Sequence, residues 1–273
     1  MPVPILVYHS IGDLPRDGTM HWTVSPGDFD EQMALIGELG RSTLTVEQYA
    51  AALRGEASLP PDPVLVTFDD GYDDLATTAL AVLERYGIVA TAFVVSGWVG
   101  ARAADGGPVL DWAQLRELRA RGIQIGSHGH THRALDCLPR AEVEREVRSS
   151  KRLLEDGLGE EVASFAYPYG YSSPLVRRTV RNAGYSSACA VKNALSHPRD
   201  DGFTLARVLV TRDTGAVGIA RLLNGQDAPL SWPGERLRTR GWRAYRRARS
   251  WVDGGLGRLT TGTSAPSTMG KLR

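Results

Sequence analysis

An α/β fold, built from βα units around a parallel sheet, is what this chain of 273 residues predicts. Short apolar runs of strand type alternate along it with helical patterns that carry their own start and stop signals. The length and a hydrophobic content of 42% suit a single barrel-like domain, and no internal repeat interrupts the alternation.

The elements follow in order. Strands are read at Ile5–Tyr8, Val64–Phe68, Ile88–Val95, Ile123–Ser127, Ser164–Ala166, Tyr185–Val191 and Phe203–Val210, each a short run rich in apolar or β-branched residues between turn residues. Helices are read between them. One runs from Asp28 to Gly40 after Ser25-Pro26, and one from Thr45 to Arg54 with a Thr45/Gln48 capping box. A third runs from Asp73 to Tyr86 and stops at Gly87, and a fourth from Asp111 to Arg121 with an Asp111/Gln114 box. The last two span Pro139 to Asp156, and Pro174 to Ala183 before Gly184. The Gly- and Ala-rich stretch from Gly97 to Pro108 reads as a loop bordering a cleft, with Trp98 and Trp112 near it as packing residues or ligand contacts.

Two of the strands end in chemistry. Pro63–Phe68 delivers the chain into Asp69 and Asp70, followed by Gly71, and functional groups in parallel-sheet folds collect where strands end. Adjacent strand residues point to opposite faces, so both aspartates reach one site only if the chain turns, which Gly71 permits. About sixty residues later a second run delivers His128-Gly129-His130-Thr131-His132. One aspartate and two histidines would meet the three-ligand count of a mononuclear catalytic zinc site. In a single helical turn His128 and His132 face the same way, whereas an extended chain would align all three histidines; Gly129 favours the turn, and His130 is read as lining the rim.

In order along the chain, Thr67-Phe68-Asp69-Asp70-Gly71, Ser127-His128 with His132, and Phe165-Ala166-Tyr167-Pro168-Tyr169-Gly170 resemble the first three motifs of the polysaccharide deacetylases, carbohydrate esterase family 4. The resemblance covers roughly Pro4 to Val210. It implies a distorted (β/α) barrel, Asp69 as general base, and a divalent metal, zinc by preference, held by Asp70, His128 and His132. It implies removal of N-acetyl groups from an N-acetylhexosamine-containing glycan or precursor, with a backbone N–H near Tyr169 holding the oxyanion. Tyr167 and Tyr169 are then expected to contact the sugar.

Two departures bear on this. Many members carry an arginine two residues before the motif proline, where this chain has Ala166; Arg207 is expected to supply that charge from elsewhere or to join the substrate-binding residues. No Leu-x-His segment stands late in the chain, but Ile5-Leu6-Val7-Tyr8-His9-Ser10 is similar to the opening of the poly-N-acetylglucosamine deacetylase branch, which implies His9 as general acid. The rival readings are an O-acetyl esterase or non-sugar amidase on the same site, and a carbohydrate-binding pseudoenzyme motivated by Ala166.

The organisation expected is a catalytic domain over 1–215, a basic helical extension over 216–253 and a disordered tail over 254–273. The extension crowds Arg236, Arg238, Arg240, Arg243, Arg246, Arg247 and Arg249 around Trp242, Tyr245 and Trp251, a pattern that reads equally as a solvated helix or as contact with an anionic membrane surface. Nucleic acid is not expected. The opening residues lack a basic n-region, no stretch reaches membrane-spanning length, and Cys137 and Cys189 read as core residues in a reducing compartment, so the expected location is cytoplasmic, peripheral to the membrane through the basic segment.

Overall fold

The computed structural model describes residues 2–13, 21–232, 241–243 and 245–246. Its strands are β1 (Ile5–Tyr8), β2 (Ser10–Ile11), β3 (Thr23–Val24), β4 (Ser42–Thr43), β5 (Pro63–Phe68), β6 (Ala90–Val94), β7 (Gln124–Ser127), β8 (Ser164–Ala166), β9 (Ser187–Val191) and β10 (Leu205–Leu209). The α-helices of the first compact unit are α1 (Pro26–Glu38), α2 (Val46–Leu53), α3 (Leu80–Arg85), α4 (Trp112–Ala120), α5 (Arg140–Leu158), α6 (Pro174–Asn182) and α7 (Ala216–Leu223). β1 pairs with β10 on one side and β5 on the other, so the order β1-β10-β9-β8-β7-β6-β5 returns to β1 and closes a parallel barrel. β4 pairs with the start of β5, and β2 and β3 form a separate two-stranded parallel pair.

Local chemistry explains the boundaries. Both expected capping boxes form, Thr45 with Gln48 on α2 and Asp111 with Gln114 on α4. β6 and β7 begin later than their apolar runs do. Ile88 and Ile123 donate their N–H groups back to Leu83 and Leu118 at 2.9 and 3.0 Å, each just after a glycine with positive φ. They close Schellman caps on the preceding helices and pair with no strand.

Side-chain alternation sorts the core into two layers. Ile5, Leu65, Phe93, Ala166, Cys189 and Leu205 form one buried cluster with Val46 and Tyr49 of α2, which packs into the barrel interior. Leu6, Tyr8, Val64, Val66, Phe68, Ala92 and Val94 join the larger cluster shared with the surrounding helices. Burial on both faces is why these strands read as continuous apolar runs.

The first compact unit runs on past 215, the expected end of the catalytic domain. α7 belongs to it: Ile219, Leu222 and Leu223 are buried in the core. The arginine-rich run of the expected extension, 236–249, lies largely outside the described residues, and the tail over 254–273 entirely so. In the second unit, 241–243 and 245–246 are helical, with the Trp242 and Tyr245 rings stacked at 5.3 Å. No helix among the described residues is long and apolar enough to cross a membrane.

Candidate active site

The C-terminal ends of the barrel strands converge on one cluster. Register sets this: Tyr8 lies opposite Phe68 and Val94 opposite Ser127, so the chain leaves β1, β5 and β7 at one rim, carrying His9, Asp69-Asp70 and His128. Asp69 and Asp70 share the site because the chain turns at once. Asp70 takes a φ of 71° and Gly71 one of 83°. Aspartate tolerates that left-handed conformation, but at Gly71 a Cβ would stand 3.2 Å from Val94 Cγ1 as well.

Asp70 Oδ1 lies 3.2 Å from His132 Nε2 and 3.6 Å from His128 Nε2. It is buried and has no hydrogen-bond partner among the described residues. The three side chains offer ligand atoms all within 4.8 Å of one another. His128 Nδ1 stands 2.9 Å from the carbonyl oxygen of Ala166, which fixes its proton there and turns the Nε2 lone pair toward Asp70. Burial pushes both imidazoles down to about 4, the neutral form that ligates. Burial also raises the Asp70 carboxyl. One orphaned carboxylate oxygen facing two neutral imidazoles is a donor set that fits a divalent cation.

The loop carrying the histidines is not the helical turn expected. Residues 128–132 are irregular, with Gly129 and His132 both at positive φ, 81° and 57°. The turn still brings the two rings to 5.0 Å. His130 points away from the cluster, its Nδ1 3.0 Å from Ser96 Oγ.

Asp69 sits beside the cluster, its Oδ2 3.7 Å from His128 Nε2. Arg207 holds it from beneath with two parallel bonds of 2.7 Å, Nη1 to Oδ1 and Nη2 to Oδ2. Leu65, Thr67 and Asp69 alternate onto one side of β5, as Leu205 and Arg207 do on β10, so the guanidinium rises through the barrel interior. There it also donates to Thr67 Oγ1 at 3.2 Å and lies 5.3 Å from the Phe93 ring. Burial would raise the Asp69 carboxyl, but the Arg207 guanidinium and then His128 overcome that and hold it below the usual carboxylate range. The charge absent at Ala166 is thus supplied 138 residues from Asp69 along the chain.

Arg207 has no exposed surface, so the expectation that it contacts substrate is corrected: it positions Asp69. Tyr167 is corrected likewise, being fully buried against Phe165 and donating its hydroxyl to the Phe203 carbonyl at 2.9 Å. Tyr169 is 48% exposed, its ring 4.7 Å from that of His132, and Trp98 lies on His132 at 5.3 Å. Trp112 packs in the core against Gly157. Tyr169 takes a φ of 60°, and at Gly170 a Cβ would meet Val191 Cβ at 2.5 Å, so the Pro168–Gly170 turn is pressed onto β9.

His9 follows β1 directly, next to Asp69, whose N–H donates to the Tyr8 carbonyl at 2.9 Å. It is near enough for its charge to favour ionisation of both Asp69 and Asp70. Its ring lies 5.8 Å from Trp22, and its Nδ1 is buried with no hydrogen-bond partner among the described residues.

Sequence reasoning missed Glu146, which bonds the histidine loop from α5. A signal was present: on α5 the buried stripe is Val143, Glu146, Val147, Ser150 and Leu154, an acid and a serine set among apolar positions.

Residues 56–188 match the sequence profile of the family described as polysaccharide deacetylase. Over that stretch the chain resembles the polysaccharide deacetylases. It is similar to the Bacillus subtilis protein YxkH, at 29% identity over 77% of this chain and 71% of that one. It is also similar to the poly-beta-1,6-N-acetyl-D-glucosamine N-deacetylase of Staphylococcus aureus, at 20% identity over 71% and 69% of the two chains. The structure of IcaB from Ammonifex degensii superposes with a TM-score of 0.73 at 27% identity, covering 81% of this chain and 97% of that one. That agreement extends to the closed barrel, which is the fold the motifs imply.

Proposed function

We propose that this protein is a deacetylase that removes acetyl groups from the amine of N-acetylhexosamine units in a glycan or glycan precursor. The observation that carries the reading is the Asp70, His128 and His132 donor set beside an Asp69 clamped by Arg207. A divalent cation, zinc by the character of the donors, would be held by Asp70 Oδ1, His128 Nε2 and His132 Nε2, and when bound it supplies Lewis acidity to the acyl oxygen and to the attacking water.

The remaining work falls to the chain's own groups. Asp69 takes the proton from the water whose oxygen attacks the acyl carbon. Its carboxylate is a weak base, since Arg207 favours the ionised form, and that suits a water acidified in place. A backbone N–H of the Pro168–Gly170 turn donates to the developing oxyanion. His9 passes a proton to the nitrogen as the C–N bond breaks, so acetate and a free amine leave. The exposed Tyr169 ring offers a stacking face to the sugar.

Acetate release from N-acetylated and O-acetylated sugar oligomers, with and without chelator, tests the proposal. Chelator-sensitive release from the N-acetyl series is expected, whereas release from esters alone would favour the esterase reading. The pseudoenzyme reading rested on the missing motif arginine, and Arg207 removes that motive. The basic run over 236–249 would suit a lipid-linked precursor at an anionic membrane surface, a suggestion that co-sedimentation with anionic but not zwitterionic vesicles would support.

A further inference from the structure

His128 and His132 lie on a loop that is neither helix nor strand, so their separation has to be fixed from outside it. Part of that is done by the neighbouring strand: His128 donates its N–H to the Val94 carbonyl at 2.8 Å, and the Gly129 and His130 carbonyls accept from Ser96 and Gly97 at 3.1 and 2.9 Å. These bonds anchor the first half of the loop. They leave the N–H groups of His130 and Thr131, immediately before His132, to other partners.

Those partners are the two oxygens of one side chain. Glu146 is 7% exposed, on the buried stripe of α5. Its Oε2 accepts the N–H of His130 at 3.1 Å and that of Thr131 at 2.9 Å, and its Oε1 accepts the Thr131 hydroxyl at 2.5 Å. No lysine or arginine is paired with it among the described residues, so the loop's own donors satisfy this buried carboxylate. Charge-assisted bonds of this kind are the strong ones, and removing their acceptor takes away the protein partner of two successive loop N–H groups.

We infer that Glu146 is a positioning residue for the metal site, holding the His130–Thr131 backbone so that His132 presents Nε2 toward Asp70 and His128. His132 takes a φ of 57°, a left-handed conformation that costs a residue with a Cβ energy and is held in place by its surroundings. With the two preceding amides clamped on Glu146, the chain enters His132 in one direction. Without the clamp, His132 is free to relax toward ordinary backbone angles, and its ring then leaves the 3.2 Å approach to Asp70 Oδ1. The inference rests on the metal reading proposed above.

Zinc affinity of the metal-stripped full chain, measured by competition with a chromophoric chelator, tests it alongside the melting temperature of the same metal-stripped protein. Glu146→Ala is expected to weaken zinc binding by roughly 10–100-fold, the scale of lost outer-shell support. Glu146→Gln keeps a carbonyl oxygen for both amides and an amide group for the Thr131 hydroxyl, and should lose less than tenfold. Should Glu146→Ala fail to fold, Thr131→Val removes only the hydroxyl bond and should cost a smaller, several-fold loss. Zinc affinity equal to wild type in folded Glu146→Ala, or in Thr131→Val where the alanine variant does not fold, overturns the inference even if the melting temperature falls, since the residue would then be merely structural. Wild-type protein that holds no zinc would instead withdraw the metal reading, and this inference with it.

Discussion

Replacing Arg207 with methionine isolates what the rearranged arginine does. Methionine retains much of the apolar volume in the barrel but removes the guanidinium that bonds both oxygens of Asp69. Asp69 is 3% exposed, so the variant leaves a carboxylate in the interior without its counter-charge. Breaking a buried pair in this way costs about 3–5 kcal/mol. At roughly 2–4 °C per kcal/mol for a domain of this size, the melting temperature should fall by roughly 6–20 °C. The pH dependence has a definite sign. In the wild type the Asp69 carboxyl is held below its usual range, so its contribution is present above an ordinary carboxyl pKa of about 3.9 and is lost as the pH falls through the folded-state value. In the variant burial dominates and raises the carboxyl, so acidification from pH 7 to 5 should raise stability relative to wild type. Adding Asp69→Asn to Arg207→Met should recover part of the loss, because it removes the stranded charge. Thermal unfolding of chelator-treated protein at the two pH values is the measurement. A loss under about 1 kcal/mol with an unchanged pH slope would refute the view that Arg207 is the partner of a charged Asp69.

Three further outcomes concern the reaction. Asp70→Ala or His132→Ala should abolish zinc retention and acetate release together, as read by metal analysis after dialysis; a His132 variant that keeps zinc while a His130 variant loses it would reverse the ligand assignment. Asp69→Asn should keep the metal and lose turnover, and loss of metal there would mean the two aspartates have exchanged roles. His9→Ala should retain zinc and lose roughly 10²-fold or more in rate on an amide but much less on an activated ester, whose leaving group departs without a proton. Equal losses on both would remove His9 as the acid.

Much of this protein is written locally. A capping box needs only residues three apart, and a Schellman glycine only the turn before it, so α2, α4 and the ends of α3 and α4 could be read from the sequence. The same holds for the aspartate pair and the spaced histidines. Each set lies within five residues at a strand end, where a parallel sheet puts its chemistry. What the local signal could not carry were β2, β3 and β4, two residues each, and α7, whose eight residues sit among arginines and turn residues.

Tertiary structure decided the rest, because side-chain direction at a distance depends on register and closure. Pairing of β1 with both β10 and β5 closes the barrel, and only then does the inward side of β10 face that of β5, so Arg207 meets Asp69 inside the barrel. Closure likewise buries Tyr167, which motif position alone had suggested as a substrate contact, while the left-handed turn beside it leaves Tyr169 exposed. The packing of α5 decided Glu146. An acid on an apolar stripe is visible in the sequence, but its partners are backbone amides on a loop 15 and 16 residues earlier, and amides carry no side-chain signature to read. Contiguous chemistry was thus legible from the order of residues, and chemistry assembled across the barrel had to wait for the fold that brings those faces together.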